Sequence, residues 1–132
     1  MTASPDAVRL AGVLACAAAS KLGTDIVAMD VSEPLAITDV FLLVSASNER
    51  QVGAIVDIID DVARRVGERV VRREGEAEGH WVLLDLLDVI VHVMLEDDRR
   101  LYALERIWKD TPRLDLDLDA PLPPVIDGGG PS

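Results

Sequence analysis

Trp81-Val-Leu-Leu-Asp85-Leu-Leu-Asp88-Val-Ile-Val-His92-Val-Met-Leu-Glu96-Asp-Asp-Arg-Arg100-Leu-Tyr102-Ala-Leu-Glu105-Arg-Ile-Trp108-Lys-Asp110 is the stretch whose reading decides the fold. Two short apolar runs flank a turn, and then the apolar spacing changes from two to three or four. That pattern predicts a β-hairpin feeding a helix. Both tryptophans and the only tyrosine lie here, in a chain that is 3% aromatic.

A hairpin with Leu86 and Leu87 as its turn sets Asp85 opposite Asp88, Leu83 opposite Ile90 and Trp81 opposite His92. Trp81, Leu83, Asp85, Asp88, Ile90 and His92 then share one mixed face. Val82, Leu84, Val89, Val91 and Val93 share the other, which is wholly aliphatic and belongs on the core. A slip of one residue swaps the faces. In the helix that follows, Leu101, Leu104 and Trp108, with Ile107 beside them, form the apolar stripe. Asp97 and Asp98 suit its positive start, Lys109 its end, and Pro112 stops it.

Upstream, Ser4-Pro5-Asp6 opens a helix that Gly23 closes. Its apolar run, Leu10 to Ala19, is too short to span a membrane. Val13-Leu14-Ala15-Cys16 loosely imitates a lipoprotein cleavage site, but the preceding charges, Asp6 and Arg9, do not make a cationic leader. A buried helix is therefore expected, with Cys16 as a small buried hydrophobe. Asp25–Val31 and Ala36–Ser45 read as strands, the second covered on both faces. Asn48 and Gln51 cap a helix whose stripe is Val52, Ile55, Val56, Ile59, Val62, Ala63 and Val66, ended by Gly67. Arg69–Arg73 is a short strand near a sheet edge, and Glu74–Gly79 is a loop. The order is α-β-β-α-β-β-β-α, an α/β (α+β) domain with a mixed sheet flanked by helices.

The chain is 132 residues long, 49% hydrophobic and carries a net charge of −11. That is one domain with a tail. Residues 1–110 hold 20 acids and 12 bases, for −8, and residues 111–132 hold 4 acids and 1 base, for −3. Such a charge repels phosphate backbones and attracts basic protein surfaces. One cysteine rules out an internal disulfide. The domain is expected to span residues 1–110, and the Pro/Asp/Gly-rich remainder, 111–132, to be mostly disordered.

Few residues carry chemistry. Asp115, Asp117 and Asp119 imitate the start of a calcium loop, but Ala120 and Ile126 stand where the loop needs Gly and Glu. Asp85 and Asp88 could pair on a metal; the reading preferred is an uncompensated acidic spot awaiting a basic partner. His92 reads as a satisfied, partly buried histidine, and His80 as loop. Trp81 and Tyr102 are the interaction candidates, because such side chains dominate interface energetics.

The stretch from Trp81 to Trp108 resembles the ribosomal silencing factor (RsfS, or Iojap-like) family. The match is carried by Trp81, Leu84-Asp85, Asp88-Val-Ile-Val-His92-Val, Arg99-Arg100-Leu-Tyr102, Leu104-Glu105 and Trp108. Asp25–Val31, Thr38-Asp39 and Arg50-Gln51-Val52 extend it over roughly residues 6–110. The resemblance implies a nucleotidyltransferase-like fold without enzyme activity and without cofactor or metal. It implies a cytoplasmic translation repressor that binds the large ribosomal subunit through ribosomal protein number fourteen. There it blocks joining of the small subunit when nutrients are scarce, and when free it is expected to be a homodimer. Together the residues and the resemblance single out Trp81, Leu83, Asp85, Asp88, Arg99 and Tyr102 as the partner-binding set. The alternatives are a metal-dependent nucleotidyltransferase-like enzyme using Asp85 and Asp88, or a dimeric scaffold for another partner. The chain departs from the family pattern at Leu87, where Gly is usual, and at Val40, where an aromatic is common.

Overall fold

Ser4 caps the first helix as its side chain allows: its Oγ accepts from Ala7 N at 3.1 Å, and Pro5 takes a first-turn position. This is a computed structural model, and its described residues are 2–35, 37–102, 106 and 108–125. Helix α1 (Pro5–Ser20) ends where Leu22 takes a φ of 65° and Gly23 N donates to Ala18 O. Gly23 is needed for close packing, since a Cβ there would lie 2.8 Å from Val44 Cγ1.

Strands β1 (Thr24–Asp30) and β2 (Val40–Ala46) come next, then helix α2 (Glu49–Arg65). They are followed by strands β3 (Arg72–Glu74), β4 (Trp81–Asp85) and β5 (Val89–Leu95), helix α3 (Glu96–Tyr102) and a short strand β6 (Arg113–Leu114). The mixed sheet has the order β3-β4-β5-β2-β1-β6, with β2 and β5 parallel and the other pairings antiparallel. The expected fold class holds, and the expected element order holds with β6 added. The second strand begins at Val40 rather than Ala36, because the chain turns at Ile37 and bends at Asp39 before it.

Helices α1 and α2 cover one face of the sheet. Leu14, Ala15, Ile55 and Ile59 from the helices meet Leu42, Val44, Leu84, Val91 and Val93 from the strands. The helices are also tied end to end. Asn48 Oδ1 accepts from Gln51 N at 2.8 Å, and Gln51 Oε1 accepts from Ser47 N at 2.7 Å. The Gln51 amide nitrogen donates to Lys21 O at 3.0 Å and Leu22 O at 2.9 Å.

The hairpin's faces are as expected, but its turn is not. Leu86 N donates to Val89 O, so Leu87 and Asp88 form the turn, and Asp85 pairs with Ile90, Leu83 with His92 and Trp81 with Met94. The pairing moves by two residues along β5, which keeps every side chain on its face except Asp88, now in the turn. The reason is local: Asp85 Oδ1 accepts from Leu87 N at 2.8 Å and Leu87 takes a φ of 72°.

Two other expectations change. Leu101 is 74% exposed rather than part of a buried stripe; Leu104 and Ile107 lie outside the described residues. The tail, expected to be mostly disordered from Arg113, instead lies along the fold through residue 125. Arg113 and Leu114 pair with Met29 and Ala28, and Leu114, Leu116 and Leu122 pack against the helix-side core. Alternation of leucine with aspartate lets this segment bury one side as an extended chain, which overall composition does not reveal.

Candidate functional site

The face of the sheet turned away from α1 and α2 is built by alternation. Val27 and Met29 of β1, Phe41, Leu43 and Ser45 of β2, Ile90, His92 and Met94 of β5, and Trp81, Leu83 and Asp85 of β4 point this way. Cross-strand pairing sorts them into rows. Val27, Leu43, His92 and Leu83 lie in one; Met29, Phe41, Ile90 and Asp85 in the next. Met29, Val31 and Leu43 are buried at the β1–β2 end, where Phe41 and Trp108 pack against them.

An aromatic group crosses this face. Phe41 meets His92 edge-on at a centroid distance of 5.0 Å and Trp108 edge-on at 5.8 Å. Trp81 lies 6.0 Å from His92, and its Nε1 donates to His92 Nδ1 at 3.1 Å. A ring nitrogen that accepts carries no proton, so the neutral His92 holds its hydrogen on Nε2. Nε2 is buried without a hydrogen-bond partner among the described residues. Burial, and then the nearby Arg99 guanidinium, push the His92 pKa down to about 4.

Of the expected partner-binding residues, three come together and Asp88 and Arg99 do not join them. Trp81, Leu83 and Asp85 come together as alternate residues of β4, each half-buried, and Trp81 and Leu83 line a shallow cavity of about 290 Å³ with Glu74 and Gly75. Asp85 is partly engaged within the fold, through its bond from Leu87 N and an Arg72 guanidinium 3.7 Å away. Asp88 is exposed in the turn, off the face, and its carbonyl accepts from Asp39 N and Val40 N.

Arg99 is not a surface group. It is buried, and its guanidinium donates to Ser45 Oγ at 2.8 Å, bracing α3 against β2. The sequence reading put it outside because arginine usually is. Tyr102 ends α3, and its side chain lies outside the described residues. Phe41 and Ile37 were not singled out, and Leu87 was noted only as a turn residue where the family usually has Gly. Phe41 was hidden in a run apolar on both sides. Ile37, 81% exposed, and Leu87, 61% exposed, bracket the sheet end where Asp39 N meets Asp88 O.

Elsewhere, His80 pairs with Glu49 at 3.2 Å. Cys16 is buried, as expected, and its Sγ donates to Asp117 O at 2.9 Å. Burial pushes the Asp30 carboxyl up, but hydrogen bonds from Ser32 and Ala3 N outweigh it and hold the group below its ordinary value. Among the described residues, no group of three or more His, Cys, Asp or Glu side chains is placed to hold a metal ion. No described helix is long and apolar enough to cross a membrane.

Comparison with known proteins fits this architecture. Residues 4–125 match the family model described as ribosomal silencing factor during starvation, so the similarity runs past residue 110 into the tail. The ribosomal silencing factor RsfS of Bacillus subtilis is 41% identical over 105 residues, covering 80% of this chain and 89% of that protein. The chloroplastic protein Iojap of Zea mays is 29% identical over 106 residues, covering 80% of this chain and 46% of that one. A crystal structure of a Chromobacterium violaceum protein superposes with a TM-score of 0.74 at 30% identity, covering 76% of this chain and 84% of that one. One from Bacillus halodurans gives 0.71 at 34% identity, covering 86% and 100%. The chain belongs to the ribosomal silencing factor family, whose members' names place them among regulators of the ribosome.

Proposed function

We propose that this chain silences ribosomes by binding, without catalysing a reaction and without a cofactor. It docks on the large ribosomal subunit through ribosomal protein number fourteen, occludes the small subunit and represses translation under nutrient limitation. It works in the cytoplasm, and when free it pairs with a second copy. The observation that carries this reading is the family match over residues 4–125.

Physical features of the chain support it. A net charge of −11 disfavours direct contact with rRNA and favours a basic protein surface. Trp81 and Leu83 offer half-buried apolar area, with Asp85 beside them and Asp88 at the nearby turn. An indole held by His92 loses little freedom on docking, which suits it as an anchor.

The test is co-sedimentation of the purified protein with large subunits through sucrose, followed by a subunit-joining assay. Binding and blocked joining are expected of the wild type. A protein that stays at the top of the gradient defeats the reading. A magnesium-dependent turnover of nucleotide by the free protein would favour the enzyme alternative.

A further inference from the structure

We infer that a slot between α2 and the loop entering β4 receives an arginine side chain from an extended basic segment of a partner protein. It uses none of the residues of the Trp81 face.

Glu49, Gly53 and Asp57 follow one another at four-residue spacing, so they form a single stripe of α2, and all three are exposed. Facing them, the loop carries Glu76, Ala77 and Glu78, also exposed, before Gly79 at a φ of 74° turns the chain toward β4. Each wall therefore sets a small residue between two acids. Val52, Val56 and Val82, all buried, form the floor. The slot holds about 200 Å³.

Gly53 is the residue that the fold does not explain. Glycine inside a helix is destabilising relative to alanine. Gly53 does not have a positive φ, and a Cβ built on it would meet nothing within 4 Å. Neither backbone strain nor close packing calls for it, and what it provides is an open slot. The other glycine within a described helix, Gly12 of α1, is half-buried in a cleft walled by the tail at Ala120–Pro123, whereas Gly53 is exposed.

The chemistry of the walls selects the occupant. Glu49 meets His80 at 3.2 Å and Glu76 meets Arg73 at 2.9 Å, while Asp57 and Glu78 have no ion-pair partner among the described residues. The mouth is negative and attracts a cation. Its volume, about 200 Å³, lies below the roughly 300–1,000 Å³ of small-molecule pockets and suits one side chain. Arginine matches both parts of the slot. Its methylene stem lies over the valine floor and the open helix backbone at Gly53. Its planar guanidinium passes between Gly53 and Ala77, and its N–H fork reaches carboxylates on both walls. Val82 in the floor and Trp81 are consecutive residues of β4 and point to opposite faces of the sheet, so the slot is a second contact surface behind the indole.

The experiment titrates a capped pentapeptide of alternating alanine and arginine, and its counterpart with glutamine for arginine, into the isotope-labelled full-length chain. The arginine peptide is expected to shift the amide resonances of Gly53, Ala77 and Gly79 saturably, and the glutamine peptide to leave them in place. Gly53→Leu fills the slot without altering charge and is expected to weaken binding roughly tenfold, with circular dichroism native. Asp57→Asn/Glu78→Gln leaves the slot open and is expected to weaken binding roughly fivefold. Asp115→Asn/Asp119→Asn, which removes two charges from the tail, is expected to bind like the wild type. Shifts that do not saturate, equal binding of the glutamine peptide, or a folded Gly53→Leu protein that binds like the wild type overturns the inference. So does equal weakening by the tail variant, which would mark diffuse attraction to an acidic chain. If Gly53→Leu does not fold, Asp57→Asn/Glu78→Gln decides, and unchanged binding there overturns it. Ribosomal subunits take no part in this test, so its failure leaves the reading of the Trp81 face standing.

Discussion

Trp81 Nε1 donates to His92 Nδ1 at 3.1 Å, across a diagonal of the β4–β5 pair. The bond fixes the indole on the sheet face and fixes the imidazole as the Nε2-protonated neutral form. It makes the face sensitive to acid.

In the unfolded chain His92 takes up a proton near its ordinary 6.5; in the fold it stays neutral down to about 4. The folded protein therefore binds fewer protons between those values, and stability present above about pH 6.5 is lost as pH falls towards 4. At about 1.4 kcal/mol per pKa unit, the whole window amounts to roughly 3 kcal/mol. Urea unfolding near pH 7.5 and near pH 5 should show the wild type losing about 2 kcal/mol more than His92→Asn. Equal losses in the two proteins would show that His92 titrates normally.

Leu87 stands at a φ of 72°, where an L side chain is strained and glycine is not. At 61% exposure it gives little burial in return. Leu87→Gly should raise stability by about 1 kcal/mol and the melting temperature by a few degrees. A lower melting temperature would mean that the leucine side chain holds the turn.

Trp81→Ala should release the protein from large subunits and restore subunit joining, with circular dichroism native. A desolvated anchor tryptophan commonly contributes about 2 kcal/mol or more, roughly thirtyfold in affinity. If the variant folds and still blocks joining, the binding face lies elsewhere. Asp85→Asn separates charge from structure, because the amide oxygen can still accept from Leu87 N. It should melt like the wild type and bind the subunit with a weaker salt dependence. An unchanged salt dependence would remove Asp85 from the electrostatic contact.

Deleting residues 113–132 should lower the melting temperature by several degrees, since Leu114, Leu116 and Leu122 bury part of their surface on the core. A melt unchanged from the full-length chain would show that the packed tail contributes no net stability.

The hairpin faces, both helix N-caps and the core stripe of α2 from Val52 to Ala63 were legible because each follows from local periodicity or a short-range hydrogen bond, whereas Val66, expected in that stripe, caps the helix and is 40% exposed. The turn was misplaced by one residue because Leu86-Leu87-Asp88 carries no glycine to mark it; the Asp85 carboxylate does the marking instead. The packing of the tail was missed because its partners, Cys16, Ala28, Met29 and Arg65, lie far away in sequence. Arg99 was placed outside because nothing near it in sequence announces Ser45. Trp81, Leu83 and Asp85 share a face by alternation alone, whereas Phe41 and His92 join them only once β2 and β5 run side by side.

Gln51 also governs how the two long helices come apart. Its amide holds Lys21 O and Leu22 O with one end and Ser47 N with the other, so the last turn of α1 and the first turn of α2 share one side chain. Helix ends ordinarily fray independently. Here one rotamer change at Gln51 releases the Lys21 and Leu22 carbonyls and the Ser47 amide together, so opening of these two ends is expected to be coupled, with the Ser47 amide proton exchanging faster whenever α1's end loosens.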